Sequence, residues 1–269
     1  MSNRPEDLPD FTTPPLNEVV LGVQYNTPRG YQQIFAGEVW SLFRDKFPFV
    51  EELPPIPPMF ETFGLPQTGR INFGIVTGAS HDRFWFLAPR KEQLIQFQND
   101  RLLHNWRKIE GQDNQYPRYE TIVSDFEREL LSLEKYFEKF DTKTLHITQC
   151  EISYINRIIA VDKADLRPSE WLRIIDQEPF QPDDFSSTFR KTIRGSDGRP
   201  QGRLICEANT AVTESGALFV VLTLTARGAP EGHSIAAAID FLNRGREIIV
   251  RQFTEITTDS AHHHWGRVR

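Results

Sequence analysis

Cysteine is scarce in this chain, with two in 269 residues, Cys150 and Cys206. Neither belongs to a C-x-x-C pair or to a zinc-ligand spacing, which sets aside a disulfide framework and a thiolate metal centre. Both fall in strand-like runs, so they read as reduced, buried small hydrophobes of a cytoplasmic protein. Long apolar runs are missing too, and nothing approaches the roughly 18 apolar residues of a membrane span. The opening residues, MSNRPEDLPDFTTPP, carry prolines and acids where a secretory leader needs a basic start and an apolar core. Positive charge is not in excess: 31 Lys and Arg stand against 37 Asp and Glu, a net charge of −6. That balance argues against bulk, non-specific binding to nucleic acid or a membrane surface, while leaving room for a local basic strip.

Catalytic signatures are also lacking. The chain contains no phosphate-cradling glycine loop, no H-E-x-x-H and no G-x-S-x-G. The HHHW run (262–265) invites a metal reading, but adjacent side chains diverge along an extended chain, so three neighbouring histidines do not converge on one ion. No metal and no cofactor is expected, and Trp265 is expected to anchor the last segment. The stretch RGSDGRPQGR (194–203) has glycines between arginines, as a phosphate loop would. A hairpin loop explains it equally, and S-D-G is turn chemistry. Arg190, Lys191, Arg194, Arg199 and Arg203 nonetheless form the densest basic patch in the sequence.

What is present is a globular composition, 39% hydrophobic with 20 phenylalanines. After an extended arm (1–15), NEVVLGVQY alternates Val19, Leu21, Val23 and Tyr25 on one face, the period of a strand. A helix is expected over YQQIFAGEVWSLFRDKF, stopped by Pro48, and LPPIPP (53–58) reads as a stiff extended connector. Three strand-like runs follow: RINFGIVTG, RFWFLAP and LIQFQNDRLLHNWRK. The clearest helix begins after Pro117, with Tyr119, Ile122, Val123, Phe126, Leu130, Leu133, Phe137 and Phe140 on one face. The second half repeats that order. TLHITQCEISYINRI is a strand, RPSEWLRIID a short helix opened by Pro168, and FSSTFRKTI, RLICEANTAV and ALFVVLTLTARG are strands. Ser234 then caps a long helix.

An offset of 131 residues lays Trp40 on Trp171, Asp45 on Asp176, Pro48 on Pro179 and Phe49 on Phe180. The same offset superimposes Leu21 on Ile152. The expected fold is therefore α+β: a duplicated β-α-β-β-β-α unit (16–141 and 146–257) followed by a short tail (258–269). The two units would form a mainly antiparallel, curved, saddle-like sheet with long helices packed on one face. That order resembles the duplicated saddle of the TATA-binding protein and the unit of sliding clamps, a likeness of topology that carries no function.

The opposite sheet face would be polar, showing Glu151, Ser153, Arg157, Thr188, Arg203 and Thr225 among others, with Trp85 and Trp106 adding aromatic area. An ordinary solvated face and a binding surface both fit. Asp100 and His104 lie four apart, about 13 Å at strand rise, too far for a direct dyad. The segments PPLNEVVLGVQY, LIQFQNDRLLHNWRK and HHHWGR resemble an uncharacterised, sporadically distributed family of bacterial proteins, over nearly the whole chain from Pro14. The resemblance implies a bacterial cytoplasmic protein with no activity to carry over, and scattered distribution suggests a defence or mobile-element context.

The leading expectation is a non-enzymatic binding or interaction module with a protein partner or a second copy of itself. Nucleic acid is a further candidate through the local basic patch, and no membrane is involved. Its candidate binding residues are Asn99, Arg101, His104, Trp106 and Arg107, with Arg190, Arg194 and Arg203 from the basic patch. The alternatives are an enzyme acting on a nucleotide or nucleic acid, built around Asp100, Arg101, His104 and the 190–203 arginines, or a structural subunit of a larger complex.

Overall fold

The computed structural model describes residues 4–63, 83–141, 143–159, 167–175, 184–213 and 216–269. Among the described residues nine strands form one open antiparallel sheet: β1 (Leu16–Tyr25), β2 (Phe49–Leu53), β3 (Arg83–Leu87), β4 (Gln93–Gln98), β5 (Arg101–Arg107), β6 (Ile147–Ile159), β7 (Ser186–Arg194), β8 (Pro200–Val212) and β9 (Leu218–Gly228). Their order is β2-β3-β4-β5-β1-β6-β9-β8-β7. The alternation in β1 decides which face is core, since Val19, Leu21, Val23 and Tyr25 are buried. Leu21 stands opposite His104 of β5 on one side and Ile152 of β6 on the other, so that apolar face continues across the middle of the sheet.

Two long helices lie on that face, α2 (Tyr119–Phe137) and α4 (Ile235–Ile256), while α1 (Ala36–Ser41), α3 (Pro168–Trp171) and α5 (Asp259–His264) are short. The buried stripe of α2 runs through Ile122, Val123, Phe126, Leu130, Leu133 and Phe137, as its 3.6-residue spacing requires. Ser234 caps α4 by accepting a hydrogen bond from the Ala237 amide. Gly245 lets α4 lie close to the sheet, because a Cβ there would sit 2.7 Å from Ile152 Cγ2. The helices are tied together by the Tyr119 hydroxyl donating to Asn243 at 2.9 Å and by the Arg246–Glu120 pair at 2.9 Å.

Several expectations need correction. LIQFQNDRLLHNWRK is a hairpin of two strands, β4 and β5, turning at Asn99-Asp100. The edge strand β2 was not anticipated; its sequence, FVEEL, has no alternating pattern and is exposed along its length save for half-buried Leu53. The first half therefore carries four strands between α1 and α2 among the described residues, not three. RINFGIVTG lies outside the described residues. The helix expected over residues 31–47 shrinks to a 3-10 turn and α1, with Ile34 81% exposed, so its apolar spacing overstated its length. The RGSDGRPQGR stretch is a hairpin turn between β7 and β8, with Gly198 at φ 77°.

The ends of the chain clasp each other. Phe11 bridges to Arg267, and the Thr12 and Thr13 amides donate to the Gly266 and Trp265 carbonyls. Trp265 is buried and stacks on Trp171 at 5.6 Å, also meeting Phe253 and Phe11. The histidines lie on helix α5, not on an extended chain: His262 is buried against Thr257, while His263 and His264 are exposed. Both cysteines are free and buried, and burial pushes the Cys206 thiol up to about 11. Among the described residues no helix is long and apolar enough to cross a membrane.

Candidate functional site

Strand registers fix which residues share the face opposite α2 and α4. Trp85, Gln96, Leu103 and Gly22 form one row across β3, β4, β5 and β1, continued by Glu151, Arg227, Arg203 and Thr192. A neighbouring row runs Gln98, Arg101, Gln24 and Gln149. The face is polar as its sequence pattern requires, but much of it is not open to solvent. Gln96, Gln98, Arg101, Asn105, Gln149, Ser153 and Thr225 are all buried.

Buried polar groups need partners, and most of these find them across the strands or in adjoining chain, the side-chain nitrogen of Gln149 being an exception. Arg83 donates to Gln96, Gln96 to Asn105, and Asn105 to Glu18, a relay through β3, β4, β5 and β1 at 2.8, 2.9 and 2.6 Å. Ser153 and Thr225 share a hydrogen bond at 2.7 Å between β6 and β9. Arg101 is held by both oxygens of Asp100, at 3.1 and 3.2 Å. Trp85 has Arg83 and Arg107 over its ring, each 5.6 Å from the centroid.

Part of this face is covered by residues 54–63, which follow β2. The Gln98 carboxamide accepts from the Ile56 amide at 2.9 Å and donates to the Ile56 carbonyl at 3.1 Å. Gln24 does the same for Met59, at 3.2 and 2.9 Å. Further along, the Glu61 carboxylate lies between Arg227 at 2.8 Å and Arg203 at 3.2 Å, and its side chain is only 3% exposed. Arg203 also donates to the Thr62 carbonyl and stacks over Phe63.

The spacing has a simple cause. Polyproline geometry advances about 3.1 Å per residue, or roughly 9 Å from Ile56 to Met59. Gln98 and Gln24 stand two strands apart, roughly 9.6 Å at ordinary strand spacing. The prolines of LPPIPP remove main-chain donors at 54, 55, 57 and 58, so the amides that remain to be caught are those of Ile56 and Met59.

The residues singled out in the sequence are dispersed by the fold. Arg101, Arg107, Arg190 and Arg203 belong to the polar face by register. His104 and Trp106 project to the opposite, helix-covered face, which corrects the expectation that Trp106 adds aromatic area beside Trp85. Trp106 packs on Tyr116 at 5.1 Å, and His104 Nδ1 lies 3.0 and 2.8 Å from the two oxygens of Glu129 on α2. Asn99 sits in the β4–β5 turn against Thr27. Arg194 donates to the Gly198 carbonyl, and its own carbonyl accepts from Arg244.

The basic patch is thereby divided, with Arg203 engaged by Glu61 and Thr62 while Arg190 stays exposed on edge strand β7. Asp100 is committed to Arg101 and Gln98 on one side of β5, and His104 to Glu129 on the other. The constellation that the nucleotide-directed enzyme reading needs is not assembled.

Sequence reasoning missed Gln24, Gln98 and Glu61. The signal that offers them is the proline period of 54–58 set beside glutamines on the polar face of β1 and β4. The fold and this face define an α+β protein with a nine-stranded antiparallel sheet, two long helices on one face and an extended segment on the other. Compared with protein-family profiles, curated proteins and solved structures, the chain finds no match in any of the three.

Proposed function

We propose that this chain is a non-enzymatic, cytoplasmic binding or interaction protein that uses the polar face of its sheet to hold a protein partner. The observation that carries this reading is the pair of glutamines, Gln24 and Gln98, each engaging both main-chain groups of one residue in an extended segment. Contacts of that kind hold polypeptide irrespective of side chain, as a recognition face for an extended partner must. Nucleic acid is less well served, since Arg203, Arg194 and Arg101 are already engaged within the chain.

The reading extends to the origin of the sheet, a duplicated unit forming a saddle. It is supported by the strand order read outward from the β1·β6 pair, β5-β4-β3 and then the extra edge strand β2 on one side and β9-β8-β7 on the other. In that pair Val19 faces Tyr154, Leu21 faces Ile152 and Val23 faces Cys150. The offset 152 − 21 = 131 equates Val19 with Cys150 and Val23 with Tyr154, so the register of β1 on β6 is compatible with a local two-fold axis between Leu21 and Ile152.

The test is affinity purification from the native host followed by hydrogen exchange on the recovered complex. New protection is expected in β1, β5, β6, β8 and β9 and not on the outward sides of α2 and α4. Protection confined to those helices sinks the assignment to the sheet face. A monomer that recovers neither protein nor nucleic acid sinks the binding function itself.

A further inference from the structure

We propose that residues 54–63 are a built-in occupant of a peptide groove, and that the partner is an extended segment carrying a glutamate or aspartate that displaces them. This rests on the sheet-face binding reading and names the chemistry of what binds there.

Three observations separate this segment from ordinary structural chain. Its fixation is made by side chains of the sheet: Gln98, Gln24 and Arg203 take its main chain, and the Arg227–Arg203 pair takes its one carboxylate. Those groups would hold any extended chain with an acid two residues beyond the residue on Gln24.

The segment also contributes little to the core. None of its apolar residues is buried, and Met59 and Phe60 are 41% and 59% exposed. Removing it therefore gives up little apolar burial, the main source of stability for a permanent element.

Finally, it fits imperfectly. Between it and the sheet lies a cavity of about 90 Å³ lined by Ile56, Met59, Gln24, Leu103, Arg101 and Gln149. Gln149 is 4% exposed, and its side-chain nitrogen has no hydrogen-bond partner in the cavity wall. A buried amide donor left unpaired is destabilising. A bound segment with an oxygen-bearing side chain of similar reach in place of Met59, such as glutamate, would offer Gln149 the acceptor that the cover withholds. The groove is thus better matched to a peptide that keeps the acid at the Glu61 position and adds an acceptor for Gln149 than to its own cover, which is the condition for displacement.

The test uses a fluorescein-labelled peptide of residues 52–63, ELPPIPPMFETF, titrated into the full chain and followed by fluorescence anisotropy. In the wild-type chain the covalent segment competes at high effective concentration, so binding is expected to be weak. Glu61→Ala in the chain loosens the cover, and peptide affinity is expected to rise at least ten-fold. Adding Arg203→Ala and Arg227→Ala to that variant, or replacing the peptide's glutamate at position 61 (not the one at 52) by glutamine, is expected to abolish the gain. If Glu61→Ala alters the thermal melt, the isosteric Glu61→Gln makes the same comparison.

The proposal is overturned if the folded Glu61 variant binds the peptide no better than wild type, or if the glutamine peptide binds equally well. In that event a recovered partner that still protects the sheet strands leaves the binding reading standing and removes only the displaced cover. Conversely, peptide binding in a chain that recovers no partner upholds the groove and removes the proposed function.

Discussion

At the scale of single residues, the most consequential pair is His104 with Glu129, neither of which faces the polar surface. His104 is fully buried and Glu129 is 7% exposed, and the imidazole meets both carboxylate oxygens. Phe47 packs edge-on against the ring at 6.2 Å. Deleting one member of a buried polar pair strands the other without solvent, whereas replacing both by apolar groups of similar size removes the desolvation cost altogether. Glu129→Ala is expected to cost about 3 kcal/mol in urea unfolding, and His104→Phe with Glu129→Leu to recover most of that loss. A double variant as unstable as Glu129→Ala would show that the pair matters through more than its mutual contact. Histidine four residues after an aspartate in a polar run looks like chemistry in the sequence. What turned it into structure was a glutamate 25 residues downstream, on the apolar stripe of α2, a partner that strand spacing does not reveal.

At the scale of elements, the clasp of arm, α5 and tail converts two nominally loose ends into packed structure. Phe11, Trp171, Phe253 and Trp265 form its aromatic centre, and His262 is sealed beside them against Thr257. Burial, with Arg267 adjacent, holds the His262 imidazole below its ordinary value of 6.5. The unfolded chain therefore takes up this proton at a higher pH than the folded chain. The contribution of His262 to stability is complete above 6.5 and is lost as pH falls below it, because the unfolded state then binds more protons. Urea midpoints measured from about pH 7 to about pH 5 should fall less steeply in His262→Gln than in wild type; equal slopes would place the acid sensitivity elsewhere. Elements with strong periodicity were legible in the sequence: β1, β6, β7, β8, β9, α2 and α4 all fall where their patterns put them. The misses have physical causes. β4 and β5 read as one run because the Asn99-Asp100 turn has no glycine or proline to punctuate it. β2 was hidden because an exposed edge strand does not need to alternate. The polar face was legible through period-two alternation, but its cover was not, because extended proline-rich chain has no periodic signature of where it docks.

At the scale of the molecule, the sheet has no seam. β1 and β6 pair along nearly their whole length, α2 is tied to α4, and residues 143–146 lead into β6 without a linker. Separating the halves would expose Leu21 and Ile152, both fully buried, so the chain is expected to unfold in one cooperative transition. The β1·β6 pairing also tests the proposed duplication. A fragment ending at residue 141 keeps β1 bonded to β5 but leaves the edge that β6 occupied unpaired, and such an edge seeks another strand. If β1 and β6 descend from one strand, a second copy of the fragment offers the missing partner, β1 against β1, with Leu21 facing Leu21 across a two-fold axis. The fragment is then expected to elute as a dimer. Leu21→Cys within it should form an intermolecular disulfide on mild oxidation, since directly opposed strand residues lie within disulfide reach. The same substitution at Val19, which would face Val23 of the other copy, should cross-link poorly. A fragment that is monomeric, or that cross-links equally from both positions, would mean that β1 recognises β6 without resembling it and that the two halves have separate origins.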